Sequence, residues 1–256
     1  MRVSLVFARR VRYVPVKARP ESANVETAKM KGRKRQMNVI EVNLNDDELP
    51  LREYSKRDKM RRIREATEKL LVDKPISEIT MKDVARVARI GEATLFRYVG
   101  AKEELLLLVF GARMEAFVEE IEASDTFLPR PGMSGDEVVE LICELYRRRS
   151  AVYLADPENV TDYVRVGFEP GNGVGELSVA LGDRTRTVVE RLLRHGQDTG
   201  VIRNDWDAAT IAVNCAGHYL HEILRSPARG YEPGSFAGRL ESRLRVQLEP
   251  LIVSLS

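Results

Sequence analysis

From Met60 onward, apolar residues return at the three- and four-residue steps of an α-helix. Met60, Ile63, Ala66, Leu70 and Leu71 recur among Arg, Lys and Glu, as one buried stripe on a solvated helix requires. That helix is expected to end near Pro75, whose ring cannot continue it. A second helix is expected to begin at Thr80. The Thr80 hydroxyl can cap free backbone amides while Asp83, three residues on, reaches back as the capping-box partner. Val84, Ala85 and Ala88 form its inner face. After Lys102 every long segment again reads as helix, with candidates at 102–122, 136–155, 157–168, 176–199, 205–225 and 236–254. Breaks fall where Pro and Gly cluster, at 129–135, 167–175, 196–204 and 227–234. The alternation of a half-buried strand is missing, so the fold class is all-α.

Residues 1–50 show little helical periodicity and carry a compact basic run, KMKGRKR, between Lys29 and Arg35. They are read as a basic, largely disordered extension. Three readings of it stand open: a solvated tail, a basic arm that follows phosphates or enters a minor groove, and an upstream start with the true start at Met30 or Met37. NDDELP, Asn45 to Pro50, then reverses the sign of charge, as a linker would.

Charge sharpens this division. The net +2 of the chain resolves into +5 over 1–50, +6 over 51–102 and −9 over 103–256, and no lysine follows Lys102. A basic front on an acidic remainder suits a head that neutralises phosphates and a body that does not. Only Cys143 and Cys215 occur, in no C-x-x-C pair, which argues against a disulfide framework or a zinc finger and fits a reducing cytoplasm. The longest wholly apolar run, Leu105 to Phe110, falls far short of the roughly 20 residues of a membrane span, so no membrane partner is expected. Val3 to Ala8 is likewise too brief for a secretory signal. With three histidines, no acid pair, no nucleophile constellation and no phosphate loop, the chain does not read as an enzyme, and no cofactor is expected.

The informative passage runs from Ile79 to Leu105, ITMKDVARVARIGEATLFRYVGAKEEL. Two short helices joined by about four residues, with a third following, form a helix-turn-helix whose second member can enter a major groove. Ala85 and Ala88 permit close crossing, and Ile90 and Leu95 supply apolar anchors. Glu92, Ala93, Thr94, Arg97 and Tyr98 are left for the outer face and reading end.

These residues resemble the TetR family of repressors, whose pattern runs T-x-x-[DE]-[IV]-A, a turn, then T-L-Y-x-[YH]-F and a lysine. Here the positions read Thr80, Asp83, Val84, Ala85, then Thr94, Leu95, Phe96, Arg97, Tyr98, Val99, then Lys102. The resemblance implies a three-helix DNA-binding domain over 51–102 and an all-helical ligand-binding and dimerisation domain over 103–256. It also implies that the partners are double-stranded operator DNA, a second copy of the chain and a small-molecule inducer of unknown identity. Thr94 is then a phosphate or base-edge contact and Tyr98 a backbone contact. Arg97 is suited to a bidentate pair with guanine, Glu92 to cytosine N4 and Ala93 to a thymine methyl. Lys102 grips a phosphate, and Thr80 and Lys82 hold the opposite backbone. Three departures accompany the match: Phe96 stands where Tyr is usual, Val99 where Phe is common, and Arg89 where Gly is common. A left-handed Arg89 would cost on the order of 1 kcal/mol.

Toward the C-terminus, Ala212, Ala216 and Gly217 invite close helix crossing, and Leu240, Leu244, Leu248 and Leu251 repeat at four, four and three residues. The pattern fits a four-helix dimer interface or an internal helix pair, and the family resemblance favours the interface. A ligand cavity between about 102 and 199 is implied by the same resemblance, with Phe117, Cys143, Tyr146, Phe168 and Leu181 as candidates. Cys215, His218 and Glu222 share a helix face, yet such a set packs more often than it coordinates, and no metal is expected. GFEPGNGVGE, Gly167 to Glu176, follows no strand and reads as a loop. Arg147 to Arg149 reads as a solvated helix face. Two functions remain open: a repressor released by an inducer, and an architectural or cell-division DNA-binding factor without one.

Overall fold

The computed structural model describes residues 51–168 and 173–253. The extension expected over 1–50, and residues 169–172 of the Gly-rich loop, lie outside them. Helix α1, Leu51–Leu71, turns Ile63, Ala66, Thr67 and Leu71 inward, and the Thr67 hydroxyl donates to the Ile63 carbonyl at 2.8 Å. A 3-10 turn, Ile76–Glu78, follows Pro75. Helix α2, Met81–Ala88, opens with the expected capping box: the Thr80 hydroxyl accepts from Asp83 N at 3.1 Å, and the Asp83 carboxylate accepts from Thr80 N at 3.3 Å. Its buried residues are Val84, Ala85 and Ala88. Helix α3, Glu92–Tyr98, is anchored by buried Leu95, with Val99 closing the unit behind it.

The next helix is not uniform. Helix α4, Glu103–Leu106, passes through a π turn, Leu107–Gly111, into α5, Ala112–Ala123. Leu105, Leu106, Leu107, Val109 and Phe110 are all buried, because this stretch packs against α1 on one side and against α7 and α8 on the other. A run buried on every side has no polar face to fix its phase, and a π turn rotates the side chains that follow.

Five further helices make the body: α6 Gly135–Leu154, α7 Pro157–Gly167, α8 Gly173–Asp198, α9 Ala208–Arg225 and α10 Phe236–Leu248. Ser134, Asp156 and Asp207 cap α6, α7 and α9 through their side chains. Because α8 already begins at Gly173, the loop expected across 167–176 is shorter than the glycines suggest. The last helix is shorter too. Pro250 breaks the ladder, and the described residues after it form a 3-10 turn and an isolated bridge between Ile252 and Ile202, short of the helix expected to run to 254. Among the described residues that bridge is the sole β-type pairing.

Burial corrects the leucine stripe. Leu240, Leu244 and Leu248 are buried within the chain itself, where α10 packs on α6 and α9, and Ala212 is equally enclosed. They form core within the chain. Leu251 and Ala216 are half-buried and Gly217 is exposed. On these two helices the exposed large apolar side chains are Val213, 52% exposed, and Leu224, 46%, on α9, and Val246, 75%, on α10.

Candidate nucleic-acid interface

Helix α3 buries only Leu95, so the rest of its surface is free to face outward. Glu92, Ala93, Phe96 and Arg97 are exposed, and Thr94 and Tyr98 are half-buried. The Arg97 guanidinium lies 5.5 Å from the centre of the Tyr98 ring, which holds the cation near the C-terminal end of the helix without neutralising it. Lys82 and Arg89 are exposed on the preceding helix and at the turn. Thr80 is exposed beside them, but its hydroxyl also donates to the Asp83 carboxylate at 2.7 Å. That bond and the Thr80 backbone amide hold the Asp83 carboxyl down at about 2. Thr80 is therefore committed first to its cap.

The turn between α2 and α3 depends on Arg89, which adopts the left-handed conformation with φ 53° and ψ 48°. Its neighbour Ile90 donates back to the Ala85 carbonyl at 3.0 Å, closing the helix end. From α1, Arg62 donates to the carbonyls of Ala88 and Arg89 at 2.6 and 2.7 Å, covering the negative end of α2. Sequence reading missed this brace, since nothing local links Arg62 to a turn 26 residues away. Arg89→Gly is expected to stabilise the chain by about 0.5–1 kcal/mol, visible as a higher denaturation midpoint at constant m. A lower midpoint would mean that the Arg89 side chain supports the turn.

Lys102 departs from the simple expectation. Its ammonium donates to the Ser77 carbonyl at 2.6 Å, tying the start of α4 to the 3-10 turn before α2. Two of its three N–H groups remain for other acceptors. At the other side of the head, buried Asn159 of α7 accepts from Ile76 N at 2.9 Å. Asn159 is itself held by the Asp156 carboxylate at 3.0 Å. One hydrogen bond thus joins the head to the body helix α7.

The other sequence candidates are scattered. Phe117, Cys143, Tyr146 and Leu181 are buried, but Phe168 is 57% exposed at the end of α7, where the helix has finished and its ring turns out of the core. Cys143 and Tyr146 share a cleft between α6 and α10 with Arg147, Leu240 and Leu244, about 190 Å³ including its open mouth. Burial pushes the Cys143 and Cys215 thiols up to about 11 and 12. The metal-like set on α9 is dispersed into other bonds: Gln247 pairs with the His218 ring at 2.8 Å and donates to the Cys215 sulfur at 3.7 Å, and Glu222 is engaged by three arginines. Among the described residues no group of three or more metal-ligating side chains converges.

Residues 63–109, which contain the capping box, the left-handed turn, α3 and Lys102, match the family described as bacterial regulatory proteins, tetR family. Over these residues, the head of the chain is similar to that family. Its fold is also that of solved TetR structures. Thermus thermophilus FadR, described as a TetR-family transcriptional repressor in complex with lauroyl-CoA, shares 24% identity, with 77% of this chain and 97% of that one covered and a TM-score of 0.56. A TetR transcription regulator from Haloarcula marismortui gives a TM-score of 0.60 at 15% identity, covering 77% and 100%. FadR from Bacillus subtilis, in complex with stearoyl-CoA, gives 0.50 at 14% identity, covering 77% and 99%. Among curated proteins no sequence matches.

Proposed function

We propose that this TetR-family regulator is a cytoplasmic repressor that binds double-stranded operator DNA as a homodimer and leaves it when a small molecule binds the body. The observation that carries the reading is the outer face of α3. There Glu92, Ala93, Phe96 and Arg97 stand exposed on a helix held by a single buried leucine, with Lys82 and Arg89 on the same head. Arg97 reads a base edge, Phe96 and Ala93 offer apolar contact to thymine methyls, and Glu92 accepts from cytosine N4. Thr94 and Tyr98, half-buried, fix the helix against the backbone, while Lys82, Lys102 and Thr80 flank it.

Response to a ligand is supported by the two FadR structures, each described with an acyl-CoA bound. The path to the head would be α7, which carries Asn159 and its hydrogen bond to Ile76. A ligand acts only through a difference in its affinity for the two head spacings.

Gel-shift titration on the DNA upstream of its own coding region, at several salt concentrations, tests the reading. Arg97→Ala is expected to cost about 1–3 kcal/mol and to relax selectivity at one base position. Lys102→Ala is expected to weaken all sequences alike and to lower the salt slope by about one. Binding that is indifferent to Arg97 and to salt would sink the proposal.

A further inference from the structure

The chemistry of the ligand is addressed by one feature of the body interior. Arg149 on α6 is only 8% exposed, although three successive arginines suggest a solvated face. Its Nε has no hydrogen-bond partner, and among the described residues no carboxylate pairs with it. The guanidinium instead lies 4.4 Å from the centre of the Tyr219 ring on α9. Tyr146 and Tyr153 flank it at three- and four-residue steps along the same face of α6, and Tyr163 approaches from α7. The hydroxyls of Tyr146, Tyr153 and Tyr163 are buried; the first two lack partners, and that of Tyr163 stands against only the Ser178 hydroxyl of α8.

Arg149 Nε and the Tyr146 and Tyr153 hydroxyls, unpartnered among the described residues, share one neighbourhood with the Tyr163 hydroxyl. Folded proteins leave few such groups, and a buried charge is normally paired. Burial pushes the Tyr146, Tyr163 and Tyr219 hydroxyls up against the pull of the nearby Arg149 charge, so they remain neutral donors. The cluster therefore gathers donors around a cation and lacks an anionic acceptor. Water could accept hydrogen bonds there but could not supply the counter-charge. A carboxylate supplies both, since its two oxygens match the guanidinium fork and leave lone pairs for hydroxyls. Around the cluster the walls are apolar: Phe110 lies 6.1 Å from the Tyr163 ring and Phe236 stacks on Tyr153 at 4.4 Å.

We propose that Arg149, with the hydroxyls of Tyr146, Tyr153 and Tyr163, recognises the carboxylate head of an otherwise apolar ligand. The proposal rests on the ligand-responsive reading above and names the ligand class. Tyr163 stands one helical turn from Asn159 on α7, so the site adjoins the hydrogen bond that joins body to head.

The test uses the full chain, calorimetry and thermal melting, with octanoate and benzoate as probes and 1-octanol and methyl octanoate as uncharged matches. At least one carboxylate is expected to bind and raise the Tm, with the uncharged matches about 100-fold weaker. Arg149→Met is expected to weaken carboxylate binding by about 100-fold while its ligand-free Tm stays equal to or above that of the parent, because an unpaired buried charge has gone. Arg149→Lys, which keeps charge but not the fork, is expected to lose about 10-fold. No binding of either carboxylate, equal binding of acid and alcohol, or a lower ligand-free Tm in both Arg149 variants would overturn the site. DNA release is read separately. Carboxylates that bind without releasing DNA would leave the site standing and sink the inducer reading. Lauroyl-CoA that releases DNA from parent and Arg149→Met alike, with no carboxylate effect, would do the reverse.

Discussion

Replacing Glu222 by alanine is expected to lower the stability of the folded chain by about 3 kcal/mol, the lower end of the range for breaking a buried ion pair. The Glu222 side chain is completely buried, yet it is the common acceptor for three arginines. One oxygen accepts from Arg229 at 2.5 Å and from Arg239 at 2.8 Å, and the other from Arg243 at 3.0 Å. These arginines come from the turn after α9 and from α10, so the carboxylate fastens the last two helices together. Without it three guanidiniums face one another. Because each of them is part-exposed, water takes up some of the charge, which keeps the loss near 3 rather than 5 kcal/mol. Arg243→Ala, at the most exposed partner, is expected to cost under about 1 kcal/mol. Urea denaturation of the two variants checks the contrast, and equal losses would mean that Glu222 acts only by filling space.

The same group gives a pH dependence of definite sign. Burial pushes the Glu222 carboxyl up, but the hydrogen bond and charge of Arg239 and the charge of Arg229 outweigh it and hold it below the ordinary 4.5. A carboxyl that is more acidic when folded contributes stability that is whole above the unfolded value and is lost as the pH falls through the folded one. Acid destabilisation of the parent should therefore continue below pH 4.5, and Glu222→Gln should flatten that part of the curve.

How much of this could be read from the sequence depended on how local each cause was. The Thr80–Asp83 capping box, the inner face of α2 and the left-handed demand on Arg89 are set by neighbours within four residues, and the structure has all three. Helix limits in the body were legible where Pro or Gly stood at the break. Periodicity also identified the buried face of α10, but a repeat says that a stripe is covered and not by what. Leu240, Leu244 and Leu248 are covered by α6 and α9 of the same chain. The π turn escaped because Leu105 to Phe110 carries no polar residue to mark a phase. Arg149 escaped for a different reason: three successive helical residues span about 200°, so one of Arg147, Arg148 and Arg149 had to leave the solvated side. That signal was present and was outweighed by charge. The Arg62 brace and the Asn159 link join residues 26 and 83 positions apart, beyond any local pattern.

The second large effect is expected at the surface that the buried leucines do not occupy. Val213→Glu combined with Leu224→Glu should raise the dissociation constant of the proposed dimer by more than about 100-fold and weaken operator binding with it, because a two-fold interface presents each new carboxylate twice. Val213, Gly217 and Leu224 lie on one exposed face of α9, spaced four and seven residues apart, and α10 adds exposed Gly238, Ser242 and Val246. Small residues beside isolated apolar ones allow two such helix pairs to approach closely. Operator binding needs two heads about 34–36 Å apart, which a monomer cannot hold. Since both positions face solvent in the single chain, the double variant should unfold as the parent monomer does, within about 0.5 kcal/mol per substitution. Leu244→Ala supplies the opposite signature, a loss of about 2–5 kcal/mol in folding, since it leaves a cavity inside the chain. Analytical ultracentrifugation beside thermal melting separates the two. A double variant that still sediments as a dimer would place the interface on another face, whereas dissociation with a melt equal to that of the parent diluted to its monomer would assign it to the outer side of α9 and α10.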